Sequence, residues 1–581
     1  MKNTNKITIY QALPRLFGNI IKEPEAYGTI KQNGSGKFAD FTPKALNEIK
    51  QIGITHIWYT GIIEHATLTN YTAYGIAKDH KAIVKGKAGS PYAIKDYYDV
   101  DPDLANDIPN RMSEFEELIE RTHETGLKII IDFVPNHVSR QYHSDAKPIL
   151  VQDLGASDDT SKTFALNNNF YYLPGQSLVL HFGAKQEDFE YSEFPAKVTG
   201  NDCFCAYPTK NDWYETIKLN YGVDYINGKN KHFDPVPDTW HKMLDILLFW
   251  AEKGIDGFRC DMAEMVPVEF WNWAIIKVKE KYNDLIFIAE IYNPSLCNDY
   301  INFGHFDYLY DKVSLYDTLR GIICGKASAY DITRCWQSVE GIQQHMLNFL
   351  ENHDEQRIAS DFFAGSAQAG FPGMIVSALM NTNPVMLYFG QELGERAMEH
   401  EGFSGYDGRT TIFDYWRVDT IQRWINNQHF DGALLNDNEK SIQEFYTRLM
   451  NIALYEAAIQ HGSFYDLMYA NNNNPNFNTH SQYVFLRKYE QEVILIAANF
   501  DKNEQNIRII IPQEAFEYLN IPDNQAAILT DLFTEEQTIS TLTKVAPYQL
   551  TLPGYGGRIL KFDYRISEVT VYNSHMKSYP M

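Results

Sequence analysis

Gly126-Leu-Lys-Ile-Ile-Ile-Asp-Phe-Val-Pro-Asn-His137 opens on a glycine, runs through an apolar strand and ends in polar residues. Ahead of it Phe115, Leu118 and Ile119 recur at helical spacing, so the stretch reads as helix, left-handed glycine cap and buried strand. The unit repeats. Leu46, Ile49 and Ile52 precede Gly53 and Ile54-Thr-His-Ile-Trp58, and Met243, Leu244, Leu247 and Leu248 precede Gly254 and Ile255-Asp-Gly-Phe-Arg-Cys260. Helices around Phe270 to Tyr282 and Met374 to Leu379 precede Leu285-Ile-Phe-Ile-Ala289 and Val385-Met-Leu-Tyr388. Helices and buried strands alternating over about 400 residues predict a parallel α/β sheet, closed as a (β/α)8 barrel or open and doubly wound. No G-x-G-x-x-G or G-x-x-x-x-G-K-[ST] follows any of these strands, which favours the barrel.

Two regions break the rhythm. From Val138 to Tyr225 the chain is loop-rich and polar, with Asn167-Asn-Asn-Phe-Tyr-Tyr172 and Lys210-Asn-Asp-Trp213, and reads as an insertion between a strand and its helix. From about Ser463 the helices are expected to stop. Alternating segments such as Tyr483-Val-Phe-Leu-Arg-Lys488, Val493-Ile-Leu-Ile-Ala497 and Ile507-Arg-Ile-Ile-Ile511 read as antiparallel strands of a separate domain, with Asn471-Asn-Asn-Asn-Pro475 as an exposed loop.

With 581 residues, 44% hydrophobic and 22% charged, the chain has material for two or three cored domains. A net charge of −24 argues against nucleic acid and anionic membranes, which need clustered cations, and leaves a neutral substrate more comfortable. Neither a signal peptide nor a membrane span is visible, so the expected compartment is cytoplasmic, with a periplasmic protein that has lost its leader as the alternative. The six scattered cysteines lack paired CxxC units and are expected to be reduced. No oligomeric state follows from the sequence.

In a (β/α)8 barrel the chemistry gathers at the C-terminal ends of the strands. Polar residues interrupt the candidate strands there in Ile131-Asp-Phe-Val-Pro-Asn-His137, Gly257-Phe-Arg-Cys-Asp261, Ile286-Phe-Ile-Ala-Glu290 and Leu350-Glu-Asn-His-Asp354. Strand alternation turns Arg259 and Asp261 the same way, so the guanidinium is expected to hold Asp261 ionised, as a nucleophile requires. Glu290 ends an apolar run, where desolvation suits a general acid. A single carboxylate at a strand end is more often a cap or an ion pair. Three carboxylates, two histidines and an arginine at successive strand ends are harder to dismiss. His137 and His353 lack the paired spacing of a metal site, which favours sugar-hydroxyl contacts. Two acids about 5 to 5.5 Å apart would give a retaining double displacement, a gap that sequence does not measure.

These motifs resemble the α-amylase family of glycoside hydrolases, the family 13 type, from about Ile7 to Phe562. Asp132-Phe-Val-Pro-Asn-His137, Gly257-Phe-Arg-Cys-Asp-Met-Ala263, Ile288-Ala-Glu290 and Glu351-Asn-His-Asp354 are similar to its four ordered signatures, and Lys218-Leu-Asn220 to its short fifth. The resemblance implies a (β/α)8 TIM barrel (domain A, residues 1–137 and 226–460) with a loop-rich insertion after the third strand (domain B, 138–225). A C-terminal antiparallel β-sandwich (domain C, 461–581) follows. It implies Asp261 as nucleophile, Glu290 as acid/base and Asp354 as the carboxylate stabilising an oxocarbenium-like transition state. Arg259, His137 and His353 would touch the sugar, and Tyr92 of Ser90-Pro-Tyr-Ala-Ile-Lys-Asp-Tyr97 would stack under it. Asn136 matches a residue that binds calcium in some members and only fixes a loop in others, so structural calcium stays open beside a cofactor-free reading. Glu264-Met265 departs from the Lys-His of many endo-acting amylases, at a plus-side contact and at one carbonyl of the usual calcium site.

The implied activity is hydrolysis of α-1,4-glucosidic bonds in starch, glycogen or maltooligosaccharides. A glucanotransferase, an exo-acting α-glucosidase or a maltodextrin-cleaving enzyme is the nearest alternative. A non-catalytic glucan-binding barrel is the alternative of another class, and the survival of all three carboxylates weighs against it.

Overall fold

The computed structural model describes residues 6–180 and 191–565. Residues 1–5 of the expected barrel, 181–190 of the insertion and 566–581 of the tail lie outside the described residues.

Eight parallel strands form the barrel: β1 (Thr8–Ala12), β2 (His56–Tyr59), β3 (Lys128–Phe133), β4 (Gly257–Cys260), β5 (Ile286–Ala289), β6 (Tyr308–Tyr310), β7 (Met346–Leu347) and β8 (Val385–Tyr388). Their order is β7-β6-β5-β4-β3-β2-β1-β8. A parallel bridge from Asn348, just past β7, to Val385 of β8 closes the ring. Helices α1 (Pro43–Gln51), α2 (Arg111–Glu124), α3 (Asp238–Glu252) and α4 (Val268–Lys281) lead into β2, β3, β4 and β5, as their amphipathic spacing predicts. The glycines that end the first three, Gly53, Gly126 and Gly254, take φ of +101°, +78° and +94°. A side chain is strained in that region, so glycine lets the chain leave each helix and enter the strand within a few residues.

The helix before β8, α5 (Phe371–Leu379), is buried on every side from Pro372 to Leu379. A helix apolar all round must be covered all round. Strands Glu492–Asn499 and Gly556–Asp563 of the C-terminal sheet pack on the face of α5 that the barrel leaves open. Arg487, 0% exposed, donates from this sheet to the carbonyls of Met380, Ala458, Ile459 and Gly462, satisfying helix ends that would otherwise be orphaned.

The C-terminal region contains a six-stranded antiparallel-paired sheet and a two-stranded one, an antiparallel β-sandwich. Two expectations there are corrected. Helices do not stop at Ser463, since Met468–Asn471 and Gln513–Leu519 are helical. Nor is the asparagine run wholly an exposed loop. Asn472 and Asn473 are exposed, but Asn471 is buried and its amide bridges Leu467 O and Ile510 O. A side chain that supplies two backbone hydrogen bonds is structural, whatever its polarity.

The insertion leaves β3 through the short strand His137–Ser139, which pairs antiparallel with Thr216–Lys218. It has its own small core, where Tyr171, Leu173, Val198 and Tyr214 pack with Ala82 and Ile83 from the segment after β2. All six cysteines are unpaired. Among the described residues no helix is long and apolar enough to cross a membrane.

Just past β8, Glu392 is 0% exposed and accepts a 2.7 Å hydrogen bond from Tyr10 of β1, while its second oxygen has no partner among the described residues. Desolvation pushes its carboxyl up to about 7. A raised folded-state value stabilises the fold at acid pH, and the benefit is lost as pH rises through about 7. Glu392→Gln is therefore expected to be more favourable, relative to wild type, at about pH 8.5 than at about pH 5, by on the order of 3 kcal/mol at most. Thermal unfolding of both proteins at the two pH values measures this, and a pH-independent difference would contradict it.

Candidate active site

Strand register decides which side chains meet. In the β3-β4-β5 block Asp132 is level with Arg259, and Arg259 with Ile288. Asp261 and Glu290 each lie one residue beyond their strands, their N–H groups held by Phe133 O at 2.9 Å and Cys260 O at 3.1 Å. Both acids thus emerge at the same rim.

Arg259 is 0% exposed and organises that rim. Its Nη1 lies 2.8 Å from Asp261 Oδ1 and 3.2 Å from Asp132 Oδ1, and its Nη2 2.9 Å from Glu290 Oε2. Nε donates to Tyr310 OH at 3.1 Å. The guanidinium carbon stands 5.1 Å from the ring of Trp58 and 5.4 Å from those of Tyr92 and Tyr310, close enough for cation–π attraction. Glu290 also accepts from Met262 N–H and Tyr292 OH, both at 2.8 Å.

Asp354 arrives on the loop after β7 with His353. His353 Nε2 lies 3.1 Å from Asp354 Oδ2 and 2.7 Å from Tyr92 OH, and its Nδ1 lies 2.8 Å from the Gln11 amide nitrogen. That nitrogen is a donor, so Nδ1 accepts and Nε2 carries the proton toward Asp354 and Tyr92. Burial, with Arg259 second, pushes His353 down to about 3, and burial with Lys218 does the same for His137. Both rings are neutral near pH 7.

A cavity of about 330 Å³ is lined by Asp261, Glu290, Asp354, Tyr92, His137 and His353, with Trp213, Tyr292 and Phe413 among its walls. Six expected residues therefore share one space, with Arg259 hydrogen-bonded to Asp261 and ion-paired with Glu290. Asn136 does not line it. Such a constellation offers two carboxyl groups held on one guanidinium and a third lining the same cavity.

The sequence-based account of Asp261 needs correction. Desolvation first and Glu290 second push its carboxyl well above the usual range, and Arg259 only opposes them. One guanidinium faces three carboxylates and cannot neutralise them all.

The surroundings of Asn136 do not fit calcium. Its side-chain oxygen accepts from Lys218 Nζ at 2.7 Å, and the same ammonium pairs with Asp202 at 2.5 Å. The oxygen that would ligate an ion is already held by a cation of the chain, and the amide nitrogen donates to Gly200 O at 2.7 Å. In register His137 faces Lys218, so this ammonium ties the insertion to the end of β3.

Several contributors escape a reading of strand ends. Asp132, which stands in the quoted strand-end motif but was given no role, bridges Trp58 Nε1 at 2.9 Å and Arg259. Gln11, polar at the end of β1, gave a similar signal. Tyr292, two residues past Glu290, was readable from alternation. Trp213 and Phe413 come from loops and gave none.

A family profile described as "Alpha amylase, catalytic domain" matches residues 24–439. The chain belongs to the α-amylase family. Alpha-amylase 2 of Dictyoglomus thermophilum is 22% identical over 503 residues, 86% of this chain and 70% of that protein. Neopullulanase 2 of Thermoactinomyces vulgaris is 22% identical over 352 residues, 60% of this chain and 48% of its own length. The solved α-amylase of Geobacillus thermoleovorans, complexed with acarbose, superimposes with a TM-score of 0.63 at 18% identity, covering 96% and 98% of the two chains. That likeness shows the same fold, with the family 13 barrel and its appended domains.

Replacing Lys218 by Met removes the donor to buried Asn136 and the partner of Asp202. A loss of about 1–3 kcal/mol in stability is expected, the scale for stranding a buried polar group. Urea unfolding measures it; an unchanged midpoint would mean that the ammonium does not tether the insertion.

Proposed function

We propose that this family 13 enzyme hydrolyses α-1,4-glucosidic bonds in starch, glycogen or maltooligosaccharides with retention of configuration, through a covalent glycosyl-enzyme. The observation that supports it is the placement of Asp261 and Glu290 on two nitrogens of one buried guanidinium, at the floor of one cavity. Carboxyl groups so held suit the close spacing, about 5 to 5.5 Å, of retaining enzymes rather than the wider gap that admits a water between acid and sugar.

In this reading Glu290 protonates the glycosidic oxygen as Asp261 attacks the anomeric carbon. Glu290 then takes a proton from a water whose oxygen attacks the anomeric carbon, and the bond from that carbon to Asp261 breaks, freeing the sugar and the Asp261 carboxylate. Asp354, its side chain 41% exposed, faces the sugar and favours positive charge as it develops on the ring. Tyr92 offers its ring as the stacking surface, and neutral His353 and His137 contact hydroxyls without adding charge. Domain boundaries follow the same reading: barrel at 1–137 and 226–460, insertion at 138–225, sandwich at 461–581. No cofactor has a role in these steps.

Asp261→Asn and Glu290→Gln are each expected to lower kcat by at least about 10²–10⁴ while the unfolding temperature stays near wild type, because each removes a reacting group rather than a packing one. Proton NMR of maltoheptaose digestion should show the α-anomer forming first. The β-anomer appearing first would overturn retention, and near-normal turnover in either variant would overturn its role. The neopullulanase among the relatives makes pullulan the informative second substrate, with products longer than the substrate marking transfer to sugar instead of water.

A further inference from the structure

Outside the cavity, three carboxyl groups meet around a buried glutamate that no described residue hydrogen-bonds. The strand Ile63–His65, which follows β2, pairs antiparallel with Ile94–Val100, and Glu64 stands opposite Asp96. Asp145, from the beginning of the insertion, brings a third carboxylate. One oxygen from each of Glu64, Asp96 and Asp145 lies within 4.8 Å of the others.

Their environments differ in an informative way. Glu64 is 1% exposed, and neither of its oxygens has a hydrogen-bond partner among the described residues. Asp96, also buried, is fixed by Ser144 Oγ at 2.5 Å, Tyr98 N at 2.8 Å and Ala146 N at 3.0 Å. Asp145 is exposed. Nearby cations are committed elsewhere: Lys95 to Asp79 at 3.0 Å and to Ala77 O, Arg111 to Asp99 at 2.9 Å. Burial first, then Asp96 and Asp99, push the Glu64 carboxyl up to about 9.

A buried carboxylate is retained when it is paired or coordinates a cation, and carboxyl groups this close need either a proton or a cation between them. The dimensions agree with coordination. Calcium ligands stand about 2.3–2.6 Å from the ion, so oxygens on one ion are separated by no more than about 5 Å. The donors are all oxygen, which selects hard cations over zinc or copper. Asp145 at the surface gives the ion an entrance and leaves positions for water. We propose that Glu64, Asp96 and Asp145 bind one hard divalent cation of the calcium class. This site is separate from Asn136. It joins the segment after β2, the strand that begins two residues after Tyr92, and the start of the insertion.

The test uses the full chain stripped with EDTA and desalted. Titration calorimetry with CaCl2 should show one ion per chain, and CaCl2 should raise the unfolding temperature. Asp145→Asn, at an exposed position that folding tolerates, and Glu64→Gln should each weaken binding at least tenfold and lose the calcium-dependent rise. Asp159→Asn, an exposed carboxylate elsewhere in the insertion, should bind as wild type does. The proposal is overturned by wild type that takes up no calcium, or by Asp145→Asn and Glu64→Gln binding with unchanged affinity. A wild-type unfolding temperature indifferent to calcium would also overturn it, since an ion held by these three elements must stabilise them.

Discussion

The buried guanidinium of Arg259 is the constraint on which the site depends. A fully buried charge is tolerable only when paired and hydrogen-bonded, and Arg259 meets that demand with hydrogen bonds to Asp132 and Asp261 and an ion pair with Glu290, over three aromatic rings. The same pairing that makes the cation tolerable fixes the carboxylates in place. Because Asp132, Arg259 and Ile288 are level across three hydrogen-bonded strands, the arrangement is set by sheet register and not by loops. Side chains on strands are held more rigidly than side chains on loops, which is what a reaction between two fixed acids and a sugar needs.

The electrostatics follow from counting charges. One cation among three carboxylates leaves the cluster negative, and desolvation adds to the cost of each ionised group. The neutral histidines His137 and His353 supply hydrogen bonds without shielding that charge. A site of this kind is suited to a substrate that is neutral when it binds and positive at the moment of bond cleavage. An anionic substrate would be repelled before it arrived.

How much of this was legible depends on the distance over which each signal acts. Helix, glycine and strand are read from ten neighbouring residues, so the barrel units and the carboxylates at their ends appear directly in the sequence. Arg259 and Asp261 share a face by alternation alone. The titration behaviour of Asp261 did not appear, because Glu290 is twenty-nine positions away and its proximity exists only once β4 and β5 pair. Gln11, Trp58 and Tyr310 contact the site through similar long-range pairing. The insertion's core was hidden for a related reason: Ala82 and Ile83 reach it from a different segment. Asn471 looked like loop because its composition is polar, whereas its two backbone hydrogen bonds are a property of the fold.

The insertion shows two physical solutions to one problem, that of fixing a polar excursion to a barrel rim. At its base Lys218 supplies a cation that belongs to the chain, so Asn136 and Asp202 are held at fixed stoichiometry whatever the solution contains. Beside the Ile94–Val100 strand no cation among the described residues fills the equivalent role, since Lys95 turns to Asp79, and Glu64 is left with two oxygens that none of those residues partners. An ion from solution would be a conditional fastening, present in proportion to its concentration. Asp96 lies four residues from Tyr92, so such a fastening would act on the ring proposed to stack under the sugar. The paired acids beyond β4 and β5 are anchored independently, by Arg259. Substrate binding would then respond to the ion while the bond-breaking groups stayed in place.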